Sequence, residues 1–118
     1  MTDQELSRLA ATAVMGFVLS DPDPMKCPPL WVAVDCSTRE LDWSPPTDWR
    51  AAGEIVDKMI DLGFQLTIVA ITDVQGRRVY NVSVETEAGD IDATSDVGPL
   101  AITIGALLAV EAITEEQL

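Results

Sequence analysis

WSPPTDWRAAGEIVDKMIDLGFQLTIVAI, residues 43–71, contains a tight turn, an amphipathic helix, a glycine stop and a strand, in that order. Pro45 and Pro46 exclude a helix interior, and Thr47 is placed to cap the first turn by accepting from an orphan amide. Asp48 sets a negative charge at the positive end of the helix dipole. Ala52, Ile55, Met59 and Leu62 recur three and four apart, with Ala51, Val56 and Ile60 widening that face. Arg50, Glu54, Asp57, Lys58 and Asp61 fall on the other side, and Glu54 can pair with Arg50 and Lys58 at a spacing of four. Gly63 ends the helix, because glycine takes the left-handed conformation without a Cβ clash. The period then changes to two. Phe64, Leu66, Ile68 and Ala70 point one way and Gln65, Thr67, Val69 and Ile71 the other, which predicts a buried strand.

Outward from this unit, 118 residues suffice for one domain over 1–118 with a single core and no metal or disulfide staple. Thr2 or Asp3 can cap a first helix running to about Phe17, with Leu6, Leu9, Ala10, Ala13, Val14 and Phe17 as its apolar stripe. Residues 20–29 hold four prolines in ten positions and read as a loop. Residues 30–35 form a short strand, and 37–42 a turn into a second one. Gly76 marks a hairpin turn. Arg78 to Thr86 alternates, with Tyr80, Val82 and Val84 toward the core. Asp90 to Thr94 reads as an edge strand guarded by its charges. Ser95 or Asp96 caps a last helix with Pro99 at its first position, ending near Ile113, and 114–118 form an acidic tail. The fold class is α+β: a small antiparallel sheet with helices packed on it.

The last helix has Thr103 as its one polar side chain between Leu100 and Val110. A helix apolar all round is covered on more than one side. It is either a central helix between the sheet and the first helix, or a homo-oligomer interface. The second reading is preferred, with Ala101, Gly105, Leu108 and Ala109 as the contact.

Composition narrows the chemistry. Twenty acidic and seven basic residues give a net charge of −13, which opposes duplex nucleic acid and favours solubility or a basic partner protein. The chain has no histidine, so Ser-His-Asp and Cys-His sites are excluded within it, and no catalytic residue, cofactor or metal ligand is assigned. Asp90 and Asp92 read as solvated edge charges. Cys27 and Cys36 read as reduced thiols. The start MTDQELSRLA lacks the pattern of a signal peptide, and the apolar run 97–110 is shorter than a membrane span, so a cytoplasmic protein is expected. Trp31 and Trp49 are expected in the core and Trp43 against the helix start. A phosphorylated ligand would call on Arg39, Arg77 or Arg78 beside Trp43 or Tyr80.

Trp43-Ser44-Pro45-Pro46-Thr47-Asp48, followed by an Ala-Ala helix, and Gly98-Pro99-Leu100-Ala101-Ile102 at the last helix carry a likeness. The chain resembles the phage ABA-sandwich domain family, whose members pair an S-P-S-T-D helix start with an A-P-L-A-I final helix. The likeness spans about Met1 to Ile113. It implies a small phage or prophage protein of the host bacterial cytoplasm, with helices flanking an antiparallel sheet. Proteins similar to this domain include Thoeris-inhibiting anti-defence proteins, oligomeric sponges that sequester cyclic ADP-ribose-like nucleotides without cleaving them. The resemblance therefore implies a non-enzymatic nucleotide sponge, and a protein-interaction module without a small ligand is the alternative. Ile104 stands where many members carry an arginine, which leaves Arg77 and Arg78 to meet a phosphate.

Overall fold

The structure, a computed structural model, describes residues 2–16, 18–19, 30–32, 37–39, 43–114 and 116. The proline-rich loop, Phe17, Cys27 and Cys36 lie outside the described residues, as does most of the tail. The side chains of Trp31 and Arg39 lie outside them too. Helix α1 (Asp3–Leu9) starts with a capping box: Thr2 Oγ1 accepts from the Glu5 amide, and Glu5 accepts from the Thr2 amide. The helix then widens into a π turn over Ala10–Val14, where the Met15 amide donates to the Ala10 carbonyl five residues back, at 3.0 Å. The wider turn rotates the buried face, so Ala11 and Val14 enter the core while Ala13, expected there, faces out.

Two three-stranded antiparallel sheets follow. The smaller joins β1 (Val18–Leu19), β2 (Leu30–Val32) and β3 (Ser37–Arg39), with Leu30 opposite Arg39. Helix α2 (Trp49–Asp61) is capped by Asp48, which accepts from the Arg50 amide at 3.1 Å. Thr47, expected to cap, instead donates to Ser44 Oγ and helps close the turn over the two prolines. The larger sheet has the order β4 (Gln65–Thr72), β5 (Arg78–Thr86), β6 (Gly89–Ser95), and α3 (Gly98–Ala109) closes the chain's regular structure. Ile68 pairs with Val82 and Val82 with Ala93; Leu66 pairs with Val84 and Val84 with Ile91. These residues share the face toward the helices, because side chains alternate along a strand.

The layers explain the composition of α3. One side packs on β5 and β6, a second on α2, and α1 with its π turn closes over it. Gly105 meets the sheet: a Cβ there would stand 3.3 Å from Val82 Cγ1 and 3.6 Å from Ala93 Cβ. The close approach expected of a second copy at Ala101 and Gly105 is thus made by the chain itself, and both residues are buried within it. The start of α3 has Val97 as its N-cap without a side-chain bond, while Ser95 Oγ accepts from the Val97 amide. The result is an α+β sandwich whose core runs from Leu6 through Ile55 and Met59 to Val82, Val84 and Leu107.

The strand β4 departs from expectation. It is an edge, not a buried strand; Ile68 and Val69 are 41% and 43% exposed. Alternating apolar residues predict one covered face, but strand order leaves β4 with a single neighbour among the described residues, and the helices reach little of it. Leu62 and Ile60, placed on the buried face of α2 by spacing, are exposed as well. Leu107→Ala should therefore lower the free energy of unfolding by about 2–5 kcal/mol, as expected for a fully buried leucine. Ile60→Ala should stay within about 1 kcal/mol. Urea titration of both variants measures the contrast.

Candidate functional site

Helices α2 and α3 lie side by side and point the same way. At their starts, the Trp49 ring lies on Gly98, where a Cβ would be 2.2 Å from Trp49 Cη2. At their ends, Leu62 and Gly63 of one meet Leu108, Ala109 and Glu111 of the other around one cavity. Helix dipoles in parallel add, giving roughly half a positive charge per helix at one end and half a negative charge at the other. The molecule therefore has two electrostatically different ends. Along β5 they are separated by the seven steps from Arg78 to Glu85, about 23 Å at roughly 3.3 Å per residue.

The negative end holds a cavity of about 460 Å³. Its apolar lining comes from Leu62, Phe64, Ile91 and Leu108, and its rim carries Glu85, Glu87 and Glu111. Both helices stop here in the same motif. In α2 the Gly63 amide donates to the Ile60 carbonyl and the Phe64 amide to the Met59 carbonyl, with Gly63 at φ +96°. In α3 the Glu111 amide donates to the Leu108 carbonyl and the Ala112 amide to the Leu107 carbonyl. Glu111 occupies the left-handed position, at φ +60°, as the one non-glycine residue with positive φ among the described residues. A side chain in that conformation costs roughly 1–2 kcal/mol, so the α3 stop keeps a carboxylate at the cavity where α2 uses glycine. The sequence assigns structural roles alone to Leu62, Gly63 and Phe64 and an oligomer contact to Leu108 and Ala109, and it names none of the cavity's residues as a ligand site. The glutamates come from two segments far apart in the chain, Glu85 and Glu87 in one and Glu111 in the other, and only the φ of Glu111 marks the site.

The positive end gathers part of the ligand set expected from sequence. Arg77 and Arg78 are exposed at the β4–β5 turn. Arg77 is shaped by Asp73, which accepts the Arg77 amide at 2.9 Å and lies 3.7 Å from its guanidinium, and by Gln75. Tyr80 faces the helices, half-buried, and meets Trp49 edge to face with ring centroids 5.5 Å apart. Trp43 does not belong to this group. It is 5% exposed in the core, and its Nε1–H donates to Glu54 at 2.8 Å, so it offers no face to a ligand. Glu54 is thereby drawn to the indole at the helix start. Trp49, expected in the core, is 53% exposed and is the aromatic surface of this end. Trp43 precedes the proline turn and is folded under α2, against the helix as expected, whereas Trp49 starts the helix on its outer side. Arg39 is placed in β3, and its side chain lies outside the described part.

Asp90 and Asp92 project from the exposed edge β6. Among the described residues no group of three His, Cys, Asp or Glu comes together, and no helix is long and apolar enough to cross a membrane.

No protein-family profile and no curated protein matches this chain. A solved structure does. The 2.0 Å crystal structure of a phage protein from Bacillus cereus ATCC 14579 aligns with a TM-score of 0.68 at 18% identity, covering 94% of this chain and 89% of that one. The likeness shows a shared fold, while the ABA-sandwich resemblance rests on the motifs alone.

Glu111→Gly should raise the free energy of unfolding by about 0.5–1 kcal/mol, since glycine relieves the left-handed strain and gives back part of it in chain entropy. Gly63→Ala should lower it by about 1–2 kcal/mol for the converse reason. Paired urea titrations check the opposite signs, and equal signs would refute this account of the two helix stops.

Proposed function

We propose that the protein is a non-enzymatic binding protein whose cavity accepts a basic, partly apolar segment of another protein, in an accessory role in a phage or prophage within the host bacterial cytoplasm. The observation that carries this reading is the carboxylate of Glu111, held in a strained conformation at an apolar cavity already flanked by Glu85, Glu87 and two helix C-termini. Strain kept at a concave site points to use of that site. The field there favours a lysine or arginine whose aliphatic stem lies on Phe64 and Leu108, and opposes a phosphate. The fold shared with the Bacillus cereus phage protein supports the phage context.

A second reading is the nucleotide sponge implied by the family resemblance. Its support is the exposed Trp49 beside Tyr80, next to the starts of α2 and α3 and on the same sheet end as Arg77 and Arg78. A base could stack on the indole while amides and guanidinium meet the phosphates.

Fluorescence anisotropy separates the two. A labelled peptide of alternating lysine and leucine should bind, and binding should weaken about tenfold between about 0.05 and 0.5 M salt. With each rim carboxylate contributing about 0.5–1 kcal/mol, Glu85→Gln with Glu87→Gln should weaken it a further five- to thirtyfold, roughly. Peptide binding indifferent to both changes sinks the cavity reading. ADP-ribose binding that is lost in Trp49→Ala and Arg78→Ala supports the sponge instead.

A further inference from the structure

The β4–β5 connection is a three-residue hairpin loop. The Asp73 amide donates to the Arg77 carbonyl at 2.8 Å and the Gly76 amide to the Asp73 carbonyl at 3.0 Å, with Gly76 left-handed at φ +82°. Turn chemistry accounts for Gly76 and for Asp73, whose carboxylate accepts from the Gln75 and Arg77 amides at 2.9 Å each. The Arg77 guanidinium is tied to Asp73 and Gln75. Val74 and Arg78 have no such role in the turn. Val74, at the tip, is 104% exposed, more than any other large apolar residue described. Arg78 is exposed and has no side-chain partner among the described residues. The hairpin is thus a basic, partly apolar prong, which is the chemistry that the acidic cavity accepts. From this match we infer that the cavity of one molecule receives the β4–β5 hairpin of a second copy, an inference that rests on the cavity reading above and names its occupant.

Charge and shape select a second copy. Copies of a chain of charge −13 repel one another in most orientations, and Arg77 and Arg78 are the two consecutive cations of its sequence. Seating the hairpin sets them against Glu85, Glu87 and Glu111 at the cavity rim, while Val74 enters among Leu62, Phe64 and Leu108. The carboxylate of Asp73 does not oppose this, because it is spent inside the turn on two amides and the Arg77 guanidinium. The hairpin cannot reach its own cavity: the two ends lie about 23 Å apart along β5 at roughly 3.3 Å per residue. The contact is therefore made between molecules and joins two different surfaces. Each junction leaves one hairpin and one cavity open, so the assembly propagates head to tail and does not stop at a two-fold dimer.

Sedimentation velocity of the full chain tests the seating. The unaltered protein should grow past a dimer as its concentration rises toward about 1 mM, and an excess of the lysine–leucine peptide should disperse it. Val74→Asp with Arg78→Glu spoils the hairpin, and Glu85→Lys with Glu87→Lys spoils the cavity; all four positions are exposed. Each double variant alone should sediment as a monomer, its dissociation constant raised roughly tenfold to hundredfold, with the circular dichroism spectrum unchanged. An equimolar mixture of the two should form a heterodimer and stop there, since one intact hairpin meets one intact cavity. A monomeric unaltered protein, a hairpin variant that still assembles, or a mixture that gives no heterodimer overturns the inference. Where assembly fails, peptide binding to the unaltered protein separates the two failures. Retained binding removes the second copy as occupant and spares the cavity reading, whereas absent binding removes both.

Discussion

A glycine lying against a sheet sets the depth of this fold. Gly105 lets the backbone of α3 come down onto Val82 and Ala93, and every other layer is stacked from that contact. At this depth α3 can be covered by β5 and β6 below, α2 beside it and α1 with its π turn above. Its lack of polar side chains then follows: Thr103, the one exception, is buried and donates to the Pro99 carbonyl at 2.9 Å. Burial at roughly 25 cal/mol per Å² makes this helix the main apolar contribution to the core, and a larger residue at 105 would lift the whole stack.

The same stacking aligns α2 with α3, and that alignment gives the molecule its polarity. Parallel helices place both N-termini beside Trp49 and both C-termini beside Phe64. Side-chain charge is mixed at the first end, where Asp48 caps α2 and Asp96 precedes α3 along with Arg77 and Arg78, and acidic at the second, with Glu85, Glu87 and Glu111. Side-chain charge opposite to the local helix dipole would have stabilised the helix ends; here the glutamates reinforce the negative end instead. That arrangement, together with the left-handed Glu111, is the physical basis of the proposed binding site.

Much of the fold was legible because it is local. The helix and its Gly63 stop, the inward set Tyr80, Val82 and Val84, and the acidic edge β6 are all written in short-range period and turn chemistry. The misreadings are non-local. The apolar alternation of β4 is compatible with a buried strand or an apolar edge, and only strand order separates the two. Trp49, expected in the core, is exposed because the helix places it on its outer side, while the proline turn folds Trp43 under α2. Ala13 lost its place to Ala11 through a π turn that no single residue announces. Arg77, Arg78 and Tyr80, named by residue type, lie together at one end of the larger sheet. The cavity was not legible, because Gly63, Glu87 and Glu111 meet only after the two helix stops are brought together.

An NMR titration that follows both ends at once tests the polarity directly. Backbone amides of residues 62–64, 85–88 and 108–111 report the acidic end, and the Trp49 indole with residues 77–80 reports the other. A short basic peptide should move the first set alone, and inorganic pyrophosphate, if it binds, the second alone. A basic peptide that moves residues 77–80, or pyrophosphate that moves residues 108–111, would contradict a molecule organised by two parallel helix dipoles.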